Sequence, residues 1–590
     1  MREEKKLSRA ELYCAWLGLA CLALTVLAAF LMPASIGWLR RISWDGYYRS
    51  FVLRLYLILA GVFLTAFGLE PASTSVVQYL RQRWRDGYTY GALAGMCVVL
   101  WGFILHFGRR QFGAWDYNIM IDTGWRQMLG QRPYVDFVTP NPPGFNLGIK
   151  YAYELFGVSW NANLYLTSAF ACATFLWMYW LMRKVSLGRA LAALAAFAIE
   201  SAGVLTLCFW WYNNSVLILA AVFFLACLAY AREPGSAGVQ TSYAVSLALL
   251  SLMKPNIAGV TMVGGFVLLL VVTDRKLRLV LLTLSAAVAA LLVLAVNHVS
   301  IAAMLASYRG VAKARGGFGL RSYYQMAAWD RHAALLWIAV LAIPLLGLVP
   351  RALRLLMKKD WKGVALSLMF PLAFVIAVYG LTTNGEFRDL ECTVLLAAGA
   401  VLSFGKGGDG PLLRRVYIAI LCASIAGDVY YGAERVRVYG IGPQMFFDWQ
   451  DDNSRIGAGF LKDMRVSSRM VEVQREVGAA IRANPGPIFL GPRLEYDYAV
   501  FGLTSPEHFP VYWQPDVSFP QSEQSRLVQV WKDAGFKTLI FQRFAEPPTA
   551  RGCSSMNYTC YTDEFFDAID QGYVRDDRYG AITVYHRREP

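Results

Sequence analysis

The chain has 590 residues, with 56 Lys and Arg against 41 Asp and Glu for a formal charge of +15, 56% hydrophobic residues and only 16% charged ones. Globular chains carry about 25% charged residues, so this deficit, together with repeated apolar stretches of about 20 residues, excludes a soluble enzyme built on one core. The basic excess does not indicate nucleic acid either, because no Lys/Arg block is long or interleaved with aromatics and the bases fall mostly between apolar runs.

The first apolar run, Glu11 to Met32, follows a basic N-terminal stretch and is longer than the ~7–15-residue core of a secretory signal. Further spans centre near Ile58, Met96, Phe175, Ala196, Phe223, Leu247, Gly265, Ala287, Leu341, Ala373, Ala397 and Leu421. The window rule therefore gives about 13 spans, of which the short run around Leu247 is the least typical. With the N-terminus inside, the inner connections contain Arg81, Arg83 and Arg85, then Arg183, Lys184 and Arg189, then Arg275, Lys276 and Arg278, then the Arg351 to Lys362 cluster, then Lys406, Arg414 and Arg415. Nearly every inner connection is basic, as the positive-inside rule asks, and an odd span count leaves everything after about Tyr430 outside.

This topology divides the chain into N-terminal transmembrane helices (1–107), a first large outer loop (108–159), a transmembrane core (160–435) with a second outer loop at 298–332, and an outer C-terminal domain (436–590). Both outer loops are rich in base, against expectation for that side, which marks them as the places to look for function. From about Ser467, amphipathic runs (Ser468 to Ala483, Gln521 to Ala534) alternate with short apolar strands (Ile488 to Leu490, Thr538 to Phe541, Ile582 to Tyr585), the pattern of a small α/β sheet domain. Its aromatic stretch from Gly491 to Trp513 has two readings: the cover of a membrane-facing site, or simply the core of that domain. Eight of the ten cysteines lie in apolar segments as small hydrophobes. Cys553 and Cys560 bracket a polar stretch outside, where a disulfide is open to them.

Motifs narrow the chemistry. No G-x-x-x-x-G-K-[ST] phosphate loop, H-E-x-x-H or paired C-x-x-C occurs, and the five histidines are scattered. No nucleotide cofactor is indicated, and a divalent metal, though compatible, is not indicated either. What the loops offer is a carboxylate near the membrane surface, bases nearby and room for a lipid, which suits transfer from a lipid-linked phosphate. Such a transfer needs one base for the acceptor proton and cationic donors for the departing phosphate. Asp or Glu serves the first, Arg or Lys the second.

The run Trp115-Asp116-Tyr117-Asn118, then Asp122-Thr123-Gly124, Gly130 to Phe137, Pro140 to Gly144 and Leu155-Phe156-Gly157 resembles the first outer loop of GT-C membrane glycosyltransferases. The likeness is to the bacterial branch of protein O-mannosyltransferases and lipid A aminoarabinose transferases. It implies a polytopic α-helical membrane protein of the GT-C kind with a C-terminal extracytoplasmic α/β domain, sited in the bacterial inner membrane. It implies a polyprenyl-phosphate sugar donor, membrane lipids as surroundings, and an acceptor glycan, lipid or protein outside. The general base of such enzymes, an acid just after a helix in this loop, is matched by Asp116. Two features depart from the family: two extra spans precede the core, and the next acid lies six residues on rather than beside the base.

Asp122 and Asp136 are the secondary acids. On a helix Asp116 and Asp122 stand about 240° apart and do not form a dyad, while Asp136 suits a loop-closing role on backbone amides. Lys254 and Arg388, mapped to the outer side, are candidate phosphate ligands; the plainer readings are snorkelling for Lys254 and a pair with Glu386 or Asp389 for Arg388. Arg309, Lys313, Arg315 and Arg321 of the second loop attract either that phosphate or anionic headgroups. The competing function is a proton-coupled transporter using the intramembrane acids Glu200 and Asp428, although no repeat relates the two halves.

Overall fold

The computed structural model describes residues 86–109, 116–205 and 208–315, parts of 348–425, and 454–588 apart from 456–458, 467, 492–493, 514–517 and 543–562. The spans expected at 11–32 and near Ile58 and Leu341, together with Arg321, Arg388, Asp428, Cys553 and Cys560, lie outside the described residues. In chain order come helices α1 (Asp86–Gly108), α2 (Asp116–Met128), α3 (Pro143–Phe156), α4 (Trp160–Lys184), α5 (Arg189–Glu200), α6 (Tyr212–Arg232), α7 (Ala237–Ser251), α8 (Pro255–Val272), α9 (Lys276–Val296), α10 (Ile301–Arg315) and α11 (Met369–Thr383). They are followed by β1 (Ser454–Arg455), β2 (Arg465–Val466), α12 (Ser468–Ala483), β3 (Ile488–Leu490), α13 (Asp497–Phe501), α14 (Gln524–Asp533), β4 (Thr538–Gln542), α15 (Asp563–Gly572), β5 (Tyr573–Asp576) and β6 (Ile582–Arg587).

Among the described residues, five helices are long and apolar enough to cross a membrane: Thr89–Gly108 within α1, and α4, α6, α8 and α9. The expected spans near Leu247 and Ala196 form helices shorter than the ~20 residues a crossing needs. The helix near Leu247, α7, has 15 residues, ending just before Pro255 opens α8 at its first turn, where a missing N–H costs nothing. The helix near Ala196, α5, has 12 residues and runs into a π-helical turn, Ser201–Leu205.

The chain divides into two compact units, one of residues 1–104, 168–288 and 319–434, the other of 105–167, 289–318 and 435–590. In the first unit α6 is buried along almost its whole length. Close approach is bought by glycine: a Cβ on Gly265 would fall 2.7 Å from the Phe223 ring and 3.1 Å from the Cys227 sulfur.

In the second unit four strands form one sheet in the order β3-β4-β6-β5, with β3 and β4 parallel and the other pairs antiparallel. Helix α14 lays Leu527, Val528 and Trp531 against it, and these join Phe489, Phe509, Trp513 and Phe565 in an aromatic core. Tyr496, Tyr498, Tyr512 and Trp513 are all buried. The aromatic stretch from Gly491 to Trp513 is thus core, not a cover, because each of these rings has tertiary neighbours to bury it.

Candidate active site

The first outer loop folds around α2, which opens at Asp116. The helix is anchored by its inward face. Asp122 is fully buried, and both its oxygens are engaged: Arg126 Nε donates to Oδ2 at 2.6 Å and Ser505 Oγ to Oδ1 at 2.7 Å. Arg126 is 1% exposed, and its guanidinium also donates to the Pro506 carbonyl at 2.5 Å and lies 5.4 Å above the Phe137 ring. Burial pushes the Asp122 carboxyl up from its ordinary range, while Arg126 and Ser505 pull it back. An acid so enclosed acts as a strut between α2 and the segment around Ser505, since neither oxygen is left for a substrate proton.

The same segment is stitched to the loop elsewhere. Trp125 Nε1 donates to the Leu503 carbonyl at 2.8 Å and Gln131 Nε2 to the Ser505 carbonyl at 2.7 Å. Val138 bridges Pro510, its N–H donating to Phe509 O and its carbonyl accepting from Val511 N. Helix α3, started by Pro142-Pro143, packs on α2 at Gly124, where a Cβ would collide with Ile149 and fall 2.9 Å from Tyr153. Gln127 Nε2 ties the two helices through the Asn146 carbonyl at 3.1 Å.

Asp136 closes its own turn: Oδ2 accepts from the Arg132 backbone N–H at 2.7 Å, and the Arg132 guanidinium holds both oxygens at 3.0 Å. Those bonds hold its carboxyl below the usual carboxylate range.

The second loop reaches the first through α10. Tyr308 and Tyr134 hydroxyls meet at 3.4 Å, Tyr134 also donates to the Asn141 carbonyl, and Ser307 Oγ donates to the Thr139 carbonyl at 3.4 Å. At the start of the loop, Lys150 and Tyr151 both donate to Asn297 Oδ1, at 3.2 and 2.9 Å. Burial pushes the Tyr308 hydroxyl up to about 12. Arg309, next along α10, is exposed; Lys313 and Arg315 lie further along the same helix.

Among the phosphate candidates, Lys254 belongs to the first unit, at the N-terminal cap of α8. Its Nζ donates to Asn213 Oδ1 at 2.7 Å and stands 5.0 Å above the Tyr212 ring. Glu200, also in the first unit, is fully buried at the edge of the π-turn; Thr174 Oγ1 donates to its Oε1 at 2.7 Å, and Oε2 has no hydrogen-bond partner among the described residues. No group of three or more His, Cys, Asp or Glu side chains suited to a metal ion occurs among the described residues. Sequence reasoning missed the polar strut: the Asp122–Arg126 spacing of four was visible, but its third member, Ser505, lies 383 residues away with nothing in its local sequence to mark it.

No family model and no curated protein matches the chain. Solved structures do: crystal structures of ArnT from Cupriavidus metallidurans, apo and bound to undecaprenyl phosphate, are similar in fold. Their TM-scores are 0.46 and 0.47 at 11% identity, covering 84% and 85% of this chain and 97% and 98% of theirs.

Proposed function

We propose that the chain is a multi-pass membrane glycosyltransferase of the GT-C kind, moving a sugar from a polyprenyl-phosphate donor to a glycan, lipid or protein acceptor outside the cytoplasm. One observation carries the reading: residues 105–167, 289–318 and 435–590 fall in one compact unit, although helices long and apolar enough to cross a membrane, α6 and α8 among them, lie between the first and second of these segments. These are very nearly the segments that the distribution of basic loops assigns to the outer face. The first loop, which carries the candidate acids, and the basic second loop, joined at Tyr134 and Tyr308, then belong to a single body on the side where a lipid-linked sugar is consumed.

In this mechanism Asp116 is the general base. The first position of a helix favours the ionised form of a carboxyl, as a base requires. It takes the acceptor hydroxyl proton as the acceptor oxygen bonds to the anomeric carbon, and the bond from that carbon to the phosphate oxygen breaks, its electron pair leaving with the polyprenyl phosphate. A good anionic leaving group removes the need for a second carboxyl acid, in contrast with glycosidases. Arg309, Lys313, Arg315 and Arg321 are the proposed phosphate donors from the second loop; the assignment of Arg388 and Lys254 to the same phosphate rests on sequence. Asp122, committed as a strut, is not available as a base.

The test is transfer of radiolabelled sugar from a panel of synthetic polyprenyl-phosphate sugars by purified protein in nanodiscs, with water scored as an acceptor. Turnover of at least one donor is expected. If no donor binds or turns over, the transporter reading takes its place, favoured by Glu200, a buried acid beside a π-turn with one oxygen unpartnered among the described residues.

A further inference from the structure

Two thiols meet in the first unit, and the reaction proposed above uses neither. Cys97 lies near the middle of the crossing Thr89–Gly108 in α1, and Cys172 near the middle of α4. The Cys172 thiol donates to the Cys97 carbonyl at 3.5 Å, and the two side chains are also within hydrogen-bonding reach of each other. Both are free thiols and half-buried. Packing as a small hydrophobe accounts for a single cysteine in a helix. Two that face each other from different helices have a reaction open to them.

A carboxyl stands beside the pair. Glu200 acts electrostatically on both sulfurs, with Oε1 held by Thr174 at 2.7 Å and Oε2 unpartnered among the described residues. To form a disulfide, one thiol must shed its proton before its sulfur attacks. Glu200 is placed to relay that proton.

The pair is also reached from outside. A groove of about 570 Å³ runs along α1 and α4, with Leu93, Ala94, Cys97, Leu176 and Trp180 in its lining. That volume falls among the ~300–1,000 Å³ of small-molecule sites, and the wall is open, Leu176 being 43% exposed. A molecule in the groove therefore touches Cys97. The depth of the thiols within the span and the apolar lining select against water-soluble disulfides. What enters must be apolar, and what joins two thiols must accept two electrons and two protons.

We propose that the groove is a site for a lipid-soluble quinone, which oxidises Cys97 and Cys172 to a disulfide joining α1 to α4. Two S–H bonds break and one S–S bond forms. The two electrons and two protons pass to the quinone, whose two carbonyl oxygens become the hydroxyls of the quinol. An apolar ring bearing carbonyls matches an apolar and aromatic wall that ends at a thiol. The site rests on the thiol pair and the groove, whichever reaction the second unit performs.

The experiment incubates the reduced full-length protein in nanodiscs with a short-chain ubiquinone, reading linked peptides by mass spectrometry without reductant and quinol by its absorbance. Wild type is expected to form the Cys97–Cys172 disulfide and quinol in equal amounts. Cys97→Ser and Cys172→Ser should each form neither, while Cys208→Ser and Cys227→Ser, which leave the pair intact, should match wild type. Ala94→Trp, which fills the groove, should slow the quinone reaction about tenfold or more, because exchange and oxidation at a thiol depend on access. The same variant should still be linked by diamide, a smaller oxidant, at the wild-type rate. A pair that the quinone leaves reduced, quinol formed equally in Cys97→Ser, or Ala94→Trp oxidised by quinone at the wild-type rate would each overturn the proposal. Linkage by diamide or hydrogen peroxide but not by quinone would overturn it as well, leaving an oxidisable pair without a quinone site. Monodisperse elution of each variant separates these outcomes from misfolding.

Discussion

In the first unit α6 is buried among apolar side chains along nearly all of its length, and its neighbours approach it over glycine. The second unit depends instead on a buried ion pair, Asp122 with Arg126, bonded onward to Ser505 and Pro506, and on backbone bonds between Val138 and Phe509 to Val511. The contrast follows from solvent. Helices surrounded by lipid satisfy their own backbone and associate through packing, whereas three segments distant in sequence need directional bonds to fix one arrangement.

That difference is sharpened most by Arg126→Met. Removing one partner of a buried pair leaves the other charge uncompensated, at a cost of about 3–5 kcal/mol, so thermal unfolding in detergent should lose its second-unit transition. Adding Asp122→Asn should recover part of the loss; no recovery would mean that Arg126 acts through its Pro506 and Phe137 contacts alone. Next comes Gly124→Ala, where the Cβ meets Ile149 and Tyr153; overpacking there should cost about 1–3 kcal/mol by the same assay, and an unchanged midpoint would show that α2 and α3 can part.

Asp497 tests how the second unit tolerates buried charge. Burial, with Glu495 adding to it, pushes its carboxyl well above the usual range against the opposing bond from Gln474, and Oδ2 has no hydrogen-bond partner among the described residues. A carboxyl whose folded pKa is raised gives its full stabilisation below its unfolded pKa and loses it as pH rises through the folded one. Asp497→Asn keeps the acceptor that Gln474 uses and should flatten the decline of stability with rising pH; an unaltered pH profile would assign the decline to other groups. Smallest is Tyr308→Phe, which removes one 3.4 Å contact to Tyr134 and should cost about 1 kcal/mol or less, read as a small shift in the same midpoint.

Much of the fold was legible where a local period carries it. The amphipathic run from Ser468 to Ala483 is α12 at those bounds, and the three short apolar strands are β3, β4 and β6. Asp136 makes the turn-closing bonds expected of an Asp near backbone amides. The hydropathy windows near Ala196 and Leu247 were less informative, because hydropathy does not register a π-turn or the helix break between Ser251 and Pro255. The polar strut was illegible for a different reason: Asp122 and Ser505 meet only through tertiary structure, and a buried carboxylate has the same sequence signature as an exposed one. The resemblance put Asp116 first and held Asp122 and Asp136 in reserve, and the burial of Asp122 against Arg126 and Ser505 gives that acid a structural role.

The most direct measurement of the central claim compares wild type and Asp116→Asn in nanodiscs, recording donor binding and single-turnover sugar transfer from the same polyprenyl-phosphate donor. The account predicts transfer slowed by about 10²–10⁴-fold, the scale of a lost general base, with donor affinity nearly unchanged because that interaction is made chiefly in the transition state. Transfer at the wild-type rate in the variant would contradict Asp116 as the base.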